Sequence, residues 1–509
     1  MPPETGQRMA APEADMSIAR ILRTTVALSF VTAGCRTPDV AIFIPRDKPD
    51  GRMVSSERSA HQAERDAYVE NLSGVMPVSL EVTPERTPAD QADDLFAGRD
   101  ELPLDELVAA VKARNPSLQA AMASWNAAAN KYPQAIALDD PMFQSMYAPA
   151  TWSGASKVQG SYYFGIAQKF PWSGKRELRG NQANWEAAAA SFDAGEVQLR
   201  LTEAARMAYF DYYLNQRELE LNASSRESLS RFRDVARSKY EANQVTQQDV
   251  LQADVELAQF EQRQIELNQE QIVAIARINT LLHLPPDHPL PAPPQNLPVV
   301  EELPAVGELR EWAVGHRPEL QALAARVQSE QSAAALACKE YYPDFEVMGR
   351  YDRFWTDSVQ QPQIGLNINM PLNQSKRHAA VQEALWRVHK MQADYDLAAD
   401  TIRGEVQSAH ARVDGSRRKI AVFESKILPA AQDNLRAAQS GYEAGTVDFL
   451  RLIEAQRQIL DLREAYQMAV TDFHRRAAEL SRAVGQDMLS GTAGNFDGSL
   501  RDSNEPVKE

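Results

Sequence analysis

Gln363-Ile-Gly-Leu-Asn-Ile-Asn-Met370 sets apolar Ile364, Leu366, Ile368 and Met370 against polar or small Gln363, Gly365, Asn367 and Asn369. Alternation of this kind marks a strand with two unlike faces, because successive side chains of an extended backbone point to opposite sides. A weaker version stands about 200 residues earlier, where Tyr162, Phe164 and Ile166 alternate with Tyr163, Gly165 and Ala167. Each stretch has an apolar partner upstream, Phe143 to Tyr147 in one case and Phe345, Val347 and Tyr351 in the other. The intervening segments carry Pro, Gly, Ser, Asp and Trp, as hairpin loops do. The expectation is two hairpins with strands of about ten residues, the length that a tilted membrane-crossing strand needs.

The surroundings of the hairpins also recur. Asn115-Pro-Ser-Leu-Gln-Ala120 returns as Arg317-Pro-Glu-Leu-Gln-Ala322, Pro141 and Phe143 return as Pro343 and Phe345, and Tyr240-Glu-Ala with Val245 returns as Tyr442-Glu-Ala with Val447. Pro171, Lys175 and Arg176 reappear as Pro371, Lys376 and Arg377. One spacing kept across so long and varied a window implies duplication of a whole structural unit.

After Pro171 and Pro371 the pattern becomes helical. Lys175 to Tyr240 contains no proline, and about 65 residues of helix would extend roughly 95 Å. The chain then turns near 243–247 and returns in a second helix. There Leu251, Val255, Ala258, Ile265, Ile272 and Ala276 form one seam, and Val250, Leu257, Leu267 and Ile278 a second. Two seams predict neighbours on both sides, as in a ring of helices. The second copy reads the same way, with a long helix from Lys376 to Gly441, a turn at Gly445 and a return helix through Val484. Asp105 is expected to cap the first helix, and a second helix to run on to Leu138.

The chain divides accordingly. Residues 1–35 are a signal segment, 36–98 an irregular tether, 99–284 the first repeat, 285–306 a proline-rich connector, 307–487 the second repeat, and 488–509 a polar tail. Arg20 and Arg23 precede an uncharged run from Thr24 to Ala33 and then Gly34-Cys35, the layout of an export signal ending at a lipidation cysteine. Thr32 stands where such a signal usually has a leucine-like residue. A formal charge of −16 with no long basic block argues against nucleic-acid binding.

A single hairpin cannot span a bilayer, because its edges would leave backbone groups unsatisfied in lipid. Four strands per chain are too few to close a barrel, whereas three chains supply twelve, an allowed even number. Ile364, Leu366 and Ile368 then face lipid, and Gln363, Asn367 and Asn369 face a wet lumen. Met142, Met146, Met348 and Met370 are expected to face lipid or pack. A coiled-coil scaffold without a pore is the competing reading, and it has no use for a lipid-facing hairpin.

The chain resembles the TolC-like outer-membrane efflux proteins from Leu102 to Gly485. The resemblance rests on the duplication, the Asn-Pro and Arg-Pro helix starts, Gln168-Lys-Phe-Pro-Trp-Ser-Gly-Lys-Arg176, and Tyr442-Glu-Ala-Gly-Thr-Val-Asp-Phe-Leu450 ahead of Glu454-Ala-Gln-Arg457. It implies a mainly α protein with a membrane β-hairpin pair, assembled as a homotrimer. A twelve-stranded barrel would continue into a long periplasmic α-helical barrel, acting as the passive exit duct of a tripartite pump. The implied partners are outer-membrane lipid, a periplasmic adaptor and an inner-membrane transporter. The adaptor-contact tips map to Gln244, Val245 and Thr246 and to Gly445, Thr446 and Val447. Nearby, Asp249 and Asp448 are candidate gate residues, since carboxylates gathered in a constriction bind cations; as ordinary helix-start residues they would instead cap. No nucleophile constellation, phosphate loop or cofactor motif appears. The eight histidines are scattered without metal-ligand spacing, so neither enzymatic chemistry nor a bound metal is expected.

Overall fold

The computed structural model describes residues 95–486 apart from 97, 150–159, 300–302 and 356. The signal segment with Cys35, most of the tether and the polar tail lie outside the described residues. Helices α1 (Leu104–Arg114), α2 (Pro116–Ala129) and α3 (Lys131–Ile136) lead to strands β1 (Met142–Tyr147) and β2 (Tyr162–Phe170). Next come α4 (Lys175–Glu241) and α5 (Gln247–Leu281). The same order follows with α6 (Val306–His316), α7 (Pro318–Lys339), β3 (Phe345–Asp352), β4 (Pro362–Ile368), α8 (Gln374–Val422), α9 (Leu428–Glu443) and α10 (Phe449–Val484).

Several local expectations are corrected. Pro103, not Asp105, is the N-cap of α1, because the helix begins one residue before Asp105, which sits in the first turn near the positive end of the helix dipole. The following helix breaks at Asn130 instead of running to Leu138. Asn115 caps α2 by accepting from the Ser117 N–H at 3.0 Å, and its amide donates to the Leu281 carbonyl at 3.0 Å. The four strands are six, nine, eight and seven residues long, shorter than the ten expected.

Helix α4 is unbroken over 67 residues, which at about 1.5 Å per residue is roughly 100 Å. Its counterpart is not. A π-helical turn at Phe423–Ile427 separates α8 from α9, and Pro429 follows directly. Proline lacks an N–H and its ring crowds the carbonyl four residues back, here Ser425, so the ladder widens at that place.

One core joins α1, α4 and α5 through Leu107, Val111, Tyr209, Phe210 and Ile278. Another joins α6, α8 and α10 through Leu309, Ile402, Val406, Phe473, Leu480 and Val484. The proline-rich connector lies against the first core: the Tyr212 and Tyr213 hydroxyls donate to the carbonyls of Pro291 and Gln295, each at 3.3 Å. Helix α5 resolves its two seams. Leu267 and Ile278 are buried, whereas Leu251, Val255, Ile265 and Ile272 are exposed on this single chain.

Candidate channel wall and hairpin tips

The two hairpins join into one antiparallel sheet in the order β1-β2-β3-β4. Residues directly opposite one another share a face, so the register sorts the side chains. Phe143 pairs with Ile166, Ile166 with Gly349 and Gly349 with Ile364; Gln168 pairs with Val347 and Val347 with Leu366; Phe170 pairs with Phe345 and Phe345 with Ile368. This face is apolar and uncovered. Ile364, Leu366 and Ile368 are 90%, 59% and 44% exposed, and Phe143, Tyr147, Phe164, Ile166 and Val347 stand open beside them. Phe164 stacks on Tyr351 with centroids 5.6 Å apart. Ser145, opposite Phe164, and Gln168 are polar exceptions; Gln168 lies at the helical end, where its amide donates to the Asp139 carbonyl at 2.7 Å.

The opposite face is polar. Arg350 donates to Gln363 at 2.8 Å and pairs with Asp352 at 3.4 Å, Asn367 donates to Glu346 at 2.9 Å, and Lys169 lies 3.9 Å from Asp139. Gly165 allows this packing, since a Cβ there would fall 2.7 Å from Arg350 Cβ. Asn367 and Gln363 therefore lie where the alternation places them. The methionines depart from expectation: Met142, Met146 and Met348 share the polar face, because their partners are Ala167, Tyr163 and again Ala167. Only Met370, beyond the end of β4, keeps the apolar parity.

Sheet and helices meet at Lys175, which sequence reading passed over. Gly174, at φ 86°, turns the chain into α4, and Lys175 is buried with 1% of its side chain exposed. Its ammonium donates to Asp344 Oδ1 at 2.9 Å, to the Tyr342 carbonyl at 3.3 Å and to Glu340 Oε2 at 3.4 Å. A cation at a helix N-terminus opposes the dipole, so those oxygens are what hold it there. Asp344 also accepts from the Trp172 N–H at 2.9 Å, while the Trp172 ring stacks on Tyr342. The repeated Lys-Arg pair was the available signal. It was ambiguous, because the matching Lys376 is exposed.

The hairpin tips lie at the far ends of α4 and α9. Asn243 at φ 58° and Gly445 at φ 76° make the left-handed turns that end the two outgoing helices. Val245 and Val447 fold inward, while Gln244, Thr246, Gly445 and Thr446 are exposed. Gly441 makes room for Val447, since a Cβ there would sit 2.6 Å from Val447 Cγ2. The two gate candidates are not equivalent. Asp448 is the N-cap of α10 and accepts from the Arg451 N–H at 3.2 Å, so its capping role is realised. Thr246 is the N-cap of α5 without a side-chain capping bond; its hydroxyl donates to Asp249 at 3.2 Å, and Asp249 lies inside the first turn.

The two tips are fastened together by residues that sequence reading missed. Lys239 donates to the Tyr442 carbonyl and, at 3.1 Å, to that of Glu443, with its ammonium 4.5 Å from the centre of the Tyr442 ring. A lysine at the C-terminal carbonyls of a helix satisfies groups the helix leaves orphaned. Burial, with the Asp249 carboxylate nearby, pushes the Tyr442 phenol up to about 12, and its hydroxyl has no hydrogen-bond partner among the described residues. Lower down, Glu256 of α5 and Arg457 of α10 form a two-armed ion pair. The repeated Tyr-Glu-Ala marked the place, but nothing local to Lys239 named its partner.

Among the described residues no group of His, Cys, Asp and Glu is arranged to hold a metal ion, and no helix is long and apolar enough to cross a membrane. His474 is buried between Phe210 and Phe473, and that burial pushes its imidazole down to about 4.

A sheet with one open apolar face and one polar face, carried on helices of this length, has the two unlike sides that a wall between lipid and water needs. Comparison with known proteins agrees. Residues 309–486 match the family described as outer membrane efflux protein. The cobalt-zinc-cadmium resistance protein CzcC of Cupriavidus metallidurans is 23% identical over 322 residues, covering 62% of this chain and 74% of CzcC. The fold is shared with the outer-membrane channel OprN, at TM-score 0.65 and 20% identity over 79% of this chain and 92% of that one. It is shared also with VceC of Vibrio cholerae, at TM-score 0.64 and 18% identity over 75% and 96%. The second repeat thus matches the outer membrane efflux proteins, and the fold as a whole is the one that such outer-membrane channels share.

Proposed function

We propose that three copies close their sheets into one twelve-stranded barrel, which opens into a helical duct and gives solutes a passive exit from the periplasm. The observation that carries this reading is the sheet itself: its apolar face is uncovered, and β1 and β4 are edge strands whose outer sides pair with no other strand among the described residues. Open edges are not tolerated in lipid, so they must be paired by other subunits. The uncovered seam of α5, Leu251 to Ile272, fits the same assembly, as it offers a second helical contact. The recurring element order is read as descent of both halves from one duplicated unit.

The tips carry the aperture in this reading. Gln244 to Thr246 and Gly445 to Val447 would meet a periplasmic adaptor joined to an inner-membrane transporter, with Asp249 and Asp448 lining the constriction. Cys35 would be lipidated, a second anchor beside the barrel. Light scattering on detergent-extracted protein, with the detergent contribution subtracted, should return the mass of three chains. A monomer under mild extraction would overturn the shared barrel.

A further inference from the structure

We infer that the lumen face of the sheet carries a binding strip for organic cations with an apolar body, formed by Met142, Met146, Met348 and Tyr163. The inference rests on the barrel reading above and names a class of cargo for it.

The polar face of the sheet is ordered in levels. Met142, Ala167, Met348 and Gly365 follow one another across the four strands at one level, and Met146 lies opposite Tyr163 two levels along. Arg350 occupies the level between, Lys169 and Glu346 the level beyond, and Asp352 stands beside Tyr163; Arg350 is answered by Asp352 and Gln363, and Lys169 by Asp139. Glu346 accepts from the Asn367 amide at 2.9 Å and has no cationic partner among the described residues, which leaves the wall a mild preference for cations. Small residues lie next to the thioethers. A Cβ on Gly365 would fall 2.8 Å from Met348 Cγ and 3.1 Å from its sulfur, so Met348 lies across that glycine, and Ala167 is covered between the methionines. Met142 and Met146 are more than half exposed, and the Arg350 guanidinium sits 5.5 Å from the centre of the Tyr163 ring.

Methionine on a water-facing wall is costly unless something apolar passes over it, and its flexible, polarisable side chain suits ligands of varied shape. A soft metal ion would need sulfurs converging on one point. Here Met142 and Met348 stand two strands apart, about 9–10 Å between backbones, and Met348 leans over Gly365 and away from Met142. An extended apolar body needs only a face.

The test is block of single channels in planar bilayers by tetrapentylammonium, with tetramethylammonium as the equally charged control. Changing Met142, Met146 and Met348 together to Gln should weaken tetrapentylammonium block at least about tenfold, while the triple Leu variant stays within about threefold of the original and potassium conductance is unchanged. Undiminished block in a normally conducting Gln variant overturns the strip alone. A chain that forms no channel overturns the duct reading as well. Silver ion in nitrate electrolyte is the third arm: block of the original protein that the Leu variant loses would assign the sulfurs to metal and overturn the organic class.

Discussion

The two helical hairpins start from matched sequence and end in different mechanics. The first runs out along one uninterrupted helix, α4, and turns at Thr246, whose side chain makes no capping bond. The second runs out through a π-helical turn ahead of Pro429 and turns at Asp448, which does cap. At the Tyr240–Tyr442 spacing, the residue matching Pro429 is Glu227, in mid-helix. One hairpin is a strut and the other has a joint. A π turn is a place of low local stiffness, and the second hairpin has one where the first has unbroken α-helix. The Lys239 bond to the end of α9 and the Glu256–Arg457 pair then tie the jointed hairpin to the stiff one.

The contrast can be broken most severely at the base. Lys175 is buried on Asp344 whereas Lys376 is exposed, so Lys175→Ala should cost roughly 3–5 kcal/mol and Lys376→Ala almost nothing, read from denaturant unfolding of the extracted protein. Equal losses would mean that the two junctions are the same.

Next in size is the joint itself. Glu227→Pro should cost about 3 kcal/mol by breaking α4, whereas Pro429→Ala should stabilise by up to about 1 kcal/mol and return the π turn to α-helix. A double spin-label distance across residues 418 and 436 that is unchanged in Pro429→Ala would show that the proline does not set the π turn.

A third comparison sets His474 against Ile272, its counterpart at the same spacing. The histidine is 5% exposed and the isoleucine lies open, the reverse of what hydropathy alone suggests. His474 stays neutral in the fold down to about 4, while the unfolded chain takes up its proton below about 6.5. Stability from this group is therefore complete above pH 6.5 and falls as pH drops towards 4, with a slope approaching about 1.4 kcal/mol per pH unit. The difference between the original protein and His474→Phe should carry that slope. It cancels the carboxylates Glu196 and Glu203, which burial raises and which act in the opposite sense. A pH-independent difference would place a charged imidazole in the core.

The smallest effect is at the tips. Asp448→Ala removes a cap and should cost about 1 kcal/mol, and Thr246→Ala should cost far less because no capping bond is lost. If Asp448 also lines the constriction, the same variant should raise single-channel conductance and weaken block by divalent cations, with Asp461→Ala as the control about three turns along α10. Matching conductance in the two variants would leave Asp448 as a cap alone.

Much of this molecule is legible along the chain because its signals are periodic and local. Ile364 to Ile368 announce a two-faced strand, the proline-free run after Lys175 announces a long helix, and Tyr442 to Asp448 announce a turn. Side chains in these stretches need only their neighbours in sequence to be understood. Pro429 is legible too, since a proline inside a helical run marks a break that its counterpart Glu227 does not share.

What the tertiary structure decided are the facts that depend on register and on which face is covered. The backbone alone gives Met142 and Met348 alternating positions, but only pairing with Ala167 puts them on the polar side. Lys175 and Lys376 read alike, yet one is enclosed by Asp344 and Glu340, carried there from more than a hundred residues away. Ile272 and His474 share a seam position, and which of them is buried depends on the helix that lies alongside. Burial and pairing are properties of two surfaces meeting, and a sequence states only one surface at a time.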